Sequence, residues 1–178
     1  MAMRTSLEER MKRIRLIIMD VDGVLTDGGI YMGPDGEAMK RFDIKDGLGI
    51  ALWRRAGGKT AILTGRSSKI VENRAKELHI SVVRQGCKDK RAAYEELKKE
   101  MNFSDEEIAY IGDDLIDLPV MRRVGLPVAV ADAAPEAKKA ALLVTEHAGG
   151  HGAIRETAEL LLRAQGLFED AAAQYLLS

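Results

Sequence analysis

Arg15-Leu-Ile-Ile-Met-Asp-Val-Asp-Gly-Val-Leu-Thr-Asp-Gly28 is the stretch on which the reading of this chain turns. Leu16 to Met19 are uninterrupted apolar residues, the pattern of a strand buried on both faces of a parallel sheet. The run breaks into two carboxylates one residue apart, Asp20 and Asp22. Acids at the carboxyl end of a central strand lie where open α/β sheets bind ligands, and the pair offers hard oxygen ligands suited to Mg²⁺. Gly23 lets the backbone turn close to whatever the acids hold. An isolated Asp-x-Asp after a strand is more often a solvated turn or a cap, so its weight depends on the rest of the chain.

Bulk properties narrow the field. With 178 residues, 46% of them hydrophobic, the chain has the length of one well-buried domain, expected to span residues 1–178. Its 27 basic and 28 acidic residues nearly cancel, so neither nucleic acid nor an anionic membrane is drawn by overall charge. Any anion must be recognised locally. The single cysteine, Cys87, excludes an intramolecular disulfide and fits a reducing cytoplasm. Leu7 to Ile14 mixes charge with apolar spacing and predicts a short amphipathic helix where a secretory signal would need an apolar run. No segment reaches the length of a membrane span.

Along the chain, strand-like and helix-like segments alternate. Gly28 to Met32 and Glu37 to Asp43 flank Gly33-Pro-Asp-Gly36, a turn signal that predicts a hairpin projecting from the sheet over about residues 28–43. Two strands alone are marginal in water, which favours pairing with copies from other chains and a homo-oligomer. A helix is expected from Leu48 to Ala56, with Leu48, Leu52 and Trp53 facing the core. Gly57-Gly-Lys-Thr60 is not a nucleotide phosphate loop, since Trp53 stands where the first glycine is required. Lys59 to Leu63 reads as a core strand ending at Thr64-Gly-Arg66, with a helix from Ser67 to Leu78 behind it. A hydroxyl and free N–H groups there can seat a phosphate or merely cap the helix.

Ile80 to Val83 is a third strand, and a helix runs from Lys90 to Met101. A lysine opening a helix gains nothing from the dipole, which gives Lys88 and Lys90 functional weight. Ser104-Asp-Glu-Glu107 has the form of a capping box before the strand Ile108 to Ile111. That strand ends in Gly112-Asp-Asp-Leu-Ile-Asp117, a second acid cluster; Asp114 and Asp117 suit capping, whereas Asp113 is better explained as a metal ligand beside Asp20 and Asp22. A helix from Pro119 to Val124, strands at 126–130 and 142–144, a short helix at 135–141 and an amphipathic helix from Ala153 to Gln165 complete the body. Gly166 to Ser178 reads as a weakly helical tail that can extend from it. His79, His147 and His151 lack metal-ligand spacing.

The alternation describes a doubly wound parallel α/β sheet. In chain order Asp20/Asp22, Thr64, Lys90 and Asp113 resemble the four motifs of the haloacid dehalogenase-like phosphatases. The resemblance spans Leu7 to about Gly166. Asp20-Val-Asp-Gly-Val-Leu-Thr-Asp-Gly28, Asp46-Gly-x-Gly49, Thr64-Gly-Arg66, Gly112-Asp-Asp-Leu-Ile-Asp117 and Ala148-Gly-Gly-x-Gly152 narrow it to the 3-deoxy-D-manno-octulosonate 8-phosphate phosphatase family. That resemblance implies a Rossmann-like fold and a Mg²⁺-dependent hydrolysis of a small sugar acid phosphate through an aspartyl-phosphate. Asp20 is then the nucleophile and Asp22 the acid and base. Asp20, Asp113 and the Asp22 backbone carbonyl are the metal ligands, with Thr64 and Lys90 on the phosphoryl group. It further implies substrate contacts from Asp43, Ile44, Lys45, Asp46, Gly47, Gly65, Arg66 and Arg74, and a homotetramer in which C-terminal tails reach adjacent sites. Ala51 and His151 stand where some relatives carry basic residues.

Spacing bears on access. About 35 residues separate Asp27 from Thr64 and about 50 separate Thr64 from Asp113, which ordinary elements and loops already use, so no cap domain is expected. Three other readings remain beside it. A receiver domain shares the residue types, but not the placing of both acids on the first strand. A catalytically idle oligomerisation module need not keep all four motifs. A phosphatase for a nine-carbon keto sugar acid phosphate keeps them all.

Overall fold

The computed structural model describes residues 6–176. Six parallel strands form its sheet: β1 (Leu16–Met19), β4 (Lys59–Leu63), β5 (Val82–Arg84), β6 (Ile108–Gly112), β7 (Leu126–Ala129) and β8 (Leu143–Val144). Their order is β5-β4-β1-β6-β7-β8. The chain therefore winds outward from β1 through β4 to β5, returns, and winds the other way through β6, β7 and β8. The direction reverses between β1 and β6, and the crevice beyond the strand ends at such a reversal is where this architecture binds ligands.

β1 is central because nothing in it tolerates water: all four side chains are buried, and burying each large aliphatic contributes about 1.5–3 kcal/mol. Its register places Met19 opposite Ile62 of β4 and Ile111 of β6. Asp20 thus leaves the sheet level with Leu63 and Gly112, each followed directly by a site residue, Thr64 on one side and Asp113 on the other. A charge introduced at Ile18, with Ala61 and Tyr110 as lateral neighbours, would break this strand.

Helical layers flank the sheet. α1 (Leu7–Arg13), α2 (Ile44–Arg55), α7 (Ala153–Ala164) and α8 (Phe168–Leu176) pack together, with α3 (Lys69–Glu77) beside α2. α4 (Lys90–Met101), α5 (Leu118–Met121) and α6 (Pro135–Ala140) form the other group. α2 and α7 approach so closely that a Cβ on Gly49 would come within 2.6 Å of Arg155 Cα. The antiparallel hairpin β2 (Tyr31–Gly33) and β3 (Gly36–Met39) stands outside the main sheet, and among the described residues no second domain is inserted above the strand ends.

Several boundaries differ from the sequence expectation for local reasons. α2 starts at Ile44, not Leu48, because the Asp43 side chain accepts from Lys45 N at 2.7 Å and caps it; residues 44–47 are thus a helical turn. Ser68, not Ser67, caps α3. The third strand begins two residues late, and α5 is a single turn. The larger difference is the tail. Through Leu176 it folds back on its own body, with Ala171 and Ala172 buried and Arg55 Nη1 donating to Ala171 O at 3.0 Å. Arg163 lies 3.6 Å over the Phe168 ring. After Gly166, the small apolar face of Ala171 and Ala172 suits close helix packing better than extension into solvent. Residues 177–178 lie outside the described part.

Candidate active site

Asp20, 2% exposed, ends β1 with its side chain accepting from Val21 N at 2.7 Å. The chain then curls through Val21–Leu25, closed by Thr26 N donating to Val21 O at 3.0 Å. Gly23 sits at φ +87°, and a Cβ there would lie 2.2 Å from Asp113 Oδ2, so both the turn and the nearness of the second acid require glycine. Gly150 N donates to Val24 O at 2.9 Å, bracing this curl from the loop before α7.

Oxygens of Asp20, Asp113 and Asp117 all lie within 4.8 Å of one another. Lys90, the first residue of α4, points its Nζ among them, 2.9 Å from Asp20 Oδ2 and 2.7 Å from Asp117 Oδ1. Burial first, then the neighbouring acids, pushes the Asp113 carboxyl up to about 8. Burial raises Asp20 to about 6 against the pull of Lys90. Lys90 itself is held above its ordinary value: its burial acts downward, but the Asp20 and Asp117 charges outweigh it. Buried carboxylates this close together hold their protons more tightly than usual and are balanced well by a divalent cation, and three hard oxygens suit Mg²⁺. The donor set fits the ion.

Asp117 was expected to cap a helix. It does so through Oδ2, which accepts from Asp113 N at 2.9 Å and Asp114 N at 3.2 Å, but it is also fully buried. Its Oδ1 takes Lys90 and, at 2.5 Å, the Tyr110 hydroxyl. Asp117 is therefore a member of the acid cluster that the sequence reading left out. Asp114 turns away to Leu115 N.

A cavity of about 190 Å³ opens over these acids, lined by Asp20, Asp22, Thr64, Gly65, Arg66, Asp113, Asp114 and Ile116. Beside it, a groove of about 550 Å³ shares Gly65 and Ile116 and runs past Cys87, Lys88 and Lys90. Six of the expected residues, Asp20, Asp22, Thr64, Gly65, Arg66 and Asp113, thus meet at one opening. The Asp22 carboxylate is directed away from the acid cluster, its Oδ1 on Lys40 Nζ and its Oδ2 3.7 Å from Arg66 Nε.

The residues expected around the sugar are more dispersed. Asp46 is buried, with Oδ1 accepting from Arg155 N at 2.9 Å and Oδ2 from Gly152 N at 3.2 Å; both oxygens are committed to the start of α7. Gly47 makes room for the Arg74 guanidinium, which pairs with Glu77 at 2.9 Å and lies over Phe42. Asp43 caps α2, while Ile44 is 83% exposed and Lys45 lines a separate cavity of about 250 Å³ against α7. His151 bonds Gly149 O through Nδ1 at 2.8 Å, outside the opening over the acids.

An acid-bearing reversal point in a doubly wound sheet, with a lysine from a later helix and a Thr-Gly from the adjacent strand, defines a haloacid dehalogenase-like hydrolase. Residues 79–156 match the family model described as haloacid dehalogenase-like hydrolase. The chain is 50% identical over 163 residues to the 3-deoxy-D-manno-octulosonate 8-phosphate phosphatase of Yersinia pestis, covering 92% of this chain and 87% of that one. It is 48% identical to the enzyme of that name from Salmonella typhi, covering 96% and 90%. The solved structure of the Moraxella catarrhalis phosphatase, described as a complex with a magnesium ion, a phosphate ion and KDO, superposes with a TM-score of 0.91 at 40% identity over 94% of this chain and 97% of that one. The chain belongs to the 3-deoxy-D-manno-octulosonate 8-phosphate phosphatase family.

Proposed function

We propose that this protein hydrolyses 3-deoxy-D-manno-octulosonate 8-phosphate to the free sugar acid and phosphate. The observation that carries the reading is Asp20, buried at the end of β1, facing an open cavity with Thr64 and Asp22 at its wall and Lys90 on its flank. Family membership at this identity supports the substrate.

In the first half-reaction an Asp20 oxygen attacks phosphorus and the bond from phosphorus to the sugar oxygen breaks. Asp22 delivers a proton to the departing oxygen. In the second, Asp22 takes a proton from water as that water attacks phosphorus, phosphate departs and the Asp20 carboxylate is restored. Splitting the displacement this way replaces one difficult step by two easier ones. Lys90 holds Asp20 in place and offers its charge to the phosphoryl oxygens, and Thr64 donates its hydroxyl to them. Mg²⁺ would be held by Asp20, Asp113 and the Asp22 backbone carbonyl, with Asp117 beside them, and would supply neutralising charge. Arg66, 48% exposed at the cavity wall, is placed to take the sugar carboxylate.

The same reading includes a homotetramer working in the cytoplasm. Tyr31, Met32 and Met39 of the hairpin are exposed, as strands awaiting partners would be. Phosphate release with Mg²⁺ from the eight-carbon substrate beside its nine-carbon analogue, repeated with EDTA, tests the proposal. A higher kcat/KM for the eight-carbon ester, lost with EDTA, is expected; preference for the nine-carbon ester would remove the substrate assignment.

A further inference from the structure

Lys40 follows an exposed two-stranded hairpin, where a lysine ordinarily keeps its ammonium in water. Here its side chain is 0% exposed. Nζ donates to Asp22 Oδ1 and lies 3.1 Å from Glu37 Oε2. Glu37 in turn accepts from the hydroxyl of Ser68, the cap of α3, and stands 3.5 Å from Arg66 Nη2. Arg66 closes the ring on Asp22 Oδ2. Apolar packing would anchor a hairpin at least as well as partly buried ion pairs, which are weak stabilisers once desolvation is counted. This ring ends instead on a side chain that must move protons.

We infer that Lys40 is a positioning residue for Asp22. This role rests on the phosphatase reading above. The ammonium holds Oδ1, leaving Oδ2 at the cavity wall for proton transfer to the sugar oxygen and from water. Glu37, fixed by Ser68, keeps Lys40 in place, so the hairpin contributes to catalysis within its own chain. Without Lys40 the Asp22 side chain samples other rotamers, and a general acid out of line loses its share of the rate, on the order of 10–100-fold.

The test compares Lys40→Met, Lys40→Arg and Glu37→Gln with wild type on two esters, the sugar acid phosphate and p-nitrophenyl phosphate, whose leaving group departs as a stable anion. Lys40→Met is expected to lower kcat on the sugar ester on the order of 10–100-fold with KM little changed. On the aryl ester the first turnover survives, because no proton is needed, and a burst precedes a slow steady state limited by water attack. Lys40→Arg restores most of the loss and Glu37→Gln shows a milder form of it. Should Lys40→Met not fold, the burst in Glu37→Gln carries the same test. Equal losses on both esters in the first turnover, or activity falling in step with melting temperature and Mg²⁺ affinity, would overturn the role in favour of a structural clamp. Wild-type protein inactive on both esters would overturn the phosphatase reading itself, and the positioning role with it.

Discussion

Lys90→Met removes the one ammonium that sits among three carboxylates, and its cost can be worked from the contacts. Three bonds from the ammonium disappear, to Asp20 at 2.9 Å, to Asp117 at 2.7 Å and to the Tyr110 hydroxyl at 3.3 Å, and truncating one partner of a buried pair costs about 3–5 kcal/mol. Asp117 keeps three donors, Tyr110, Asp113 N and Asp114 N, and Asp20 keeps Val21 N, which places the loss near about 3 kcal/mol. Against a total stability of about 5–15 kcal/mol the variant still folds, with a clearly lower urea midpoint. The pH dependence is the sharper test. Asp20 stands at about 6 in the folded protein against an ordinary 3.8, and without Lys90 it rises further. A carboxyl raised on folding takes up a proton as the chain folds. Its penalty is therefore absent below its unfolded value and grows as pH rises toward its folded one. Urea unfolding of both proteins at about pH 5 and about pH 8 should show a small deficit at the lower pH and the full deficit at the higher. A deficit equal at both would refute the electrostatic account and leave only lost packing of the lysine stem.

Asp20→Asn should abolish turnover while circular dichroism and melting remain native-like; hydrolysis by the folded variant would remove the nucleophile assignment. Mg²⁺ affinity should tighten as pH rises through about 8, because the cation must displace the proton that burial and the neighbouring acids hold on Asp113. Calorimetry in buffers of different ionisation enthalpy should then show proton release, and a pH-independent affinity would contradict it. Gly23→Ala places a Cβ 2.2 Å from Asp113 Oδ2 at φ +87°, and should weaken Mg²⁺ binding and turnover far more than its stability cost of about 1–2 kcal/mol suggests. Asp46→Ala deprives Gly152 N and Arg155 N of their acceptor and should lower urea stability by about 1–3 kcal/mol without changing KM for the sugar ester; a KM effect alone would restore Asp46 to the substrate contacts.

What was legible in the sequence is what one strand's neighbours decide. An apolar run breaking into acids marks β1 and Asp20, and a second such run marks β6 and Asp113, because a strand buried on both faces has no other way to be written. Lys90 was readable as a cation in the wrong place for a helix dipole. Asp117 was not, since a cap acid already has a local use; only the adjacency of β1 and β6 and the approach of α4 give it a second one. Glu37 and Lys40 were hidden for a related reason. They are three apart around the end of β3, out of phase with strand alternation, and look like a solvated charged edge until the hairpin folds over Asp22. Asp46 sits in a motif that suggests ligand contact, and its bonds to the start of α7, more than 100 residues away, could not be read from the motif.

The two groups of charges at the opening differ in a way that fits the roles proposed for them. In the inner group Asp20, Asp113 and Asp117 face Lys90, so three carboxylates and one ammonium leave two negative charges in a largely buried site. Such a deficit is relieved by protons, as the raised Asp113 and Asp20 show, or by one divalent cation. In the outer group Asp22 and Glu37 face Lys40 and Arg66, and the charges cancel within the chain. The Asp22 carboxylate is thereby paired apart from the inner acids, although only Val21 separates it from Asp20. In the proposed mechanism Asp113 stays ionised through the cycle, whereas Asp22 as acid and base changes its protonation twice. Folding the hairpin over Asp22 gives two carboxylates two residues apart these different surroundings, and it does so without a cap domain.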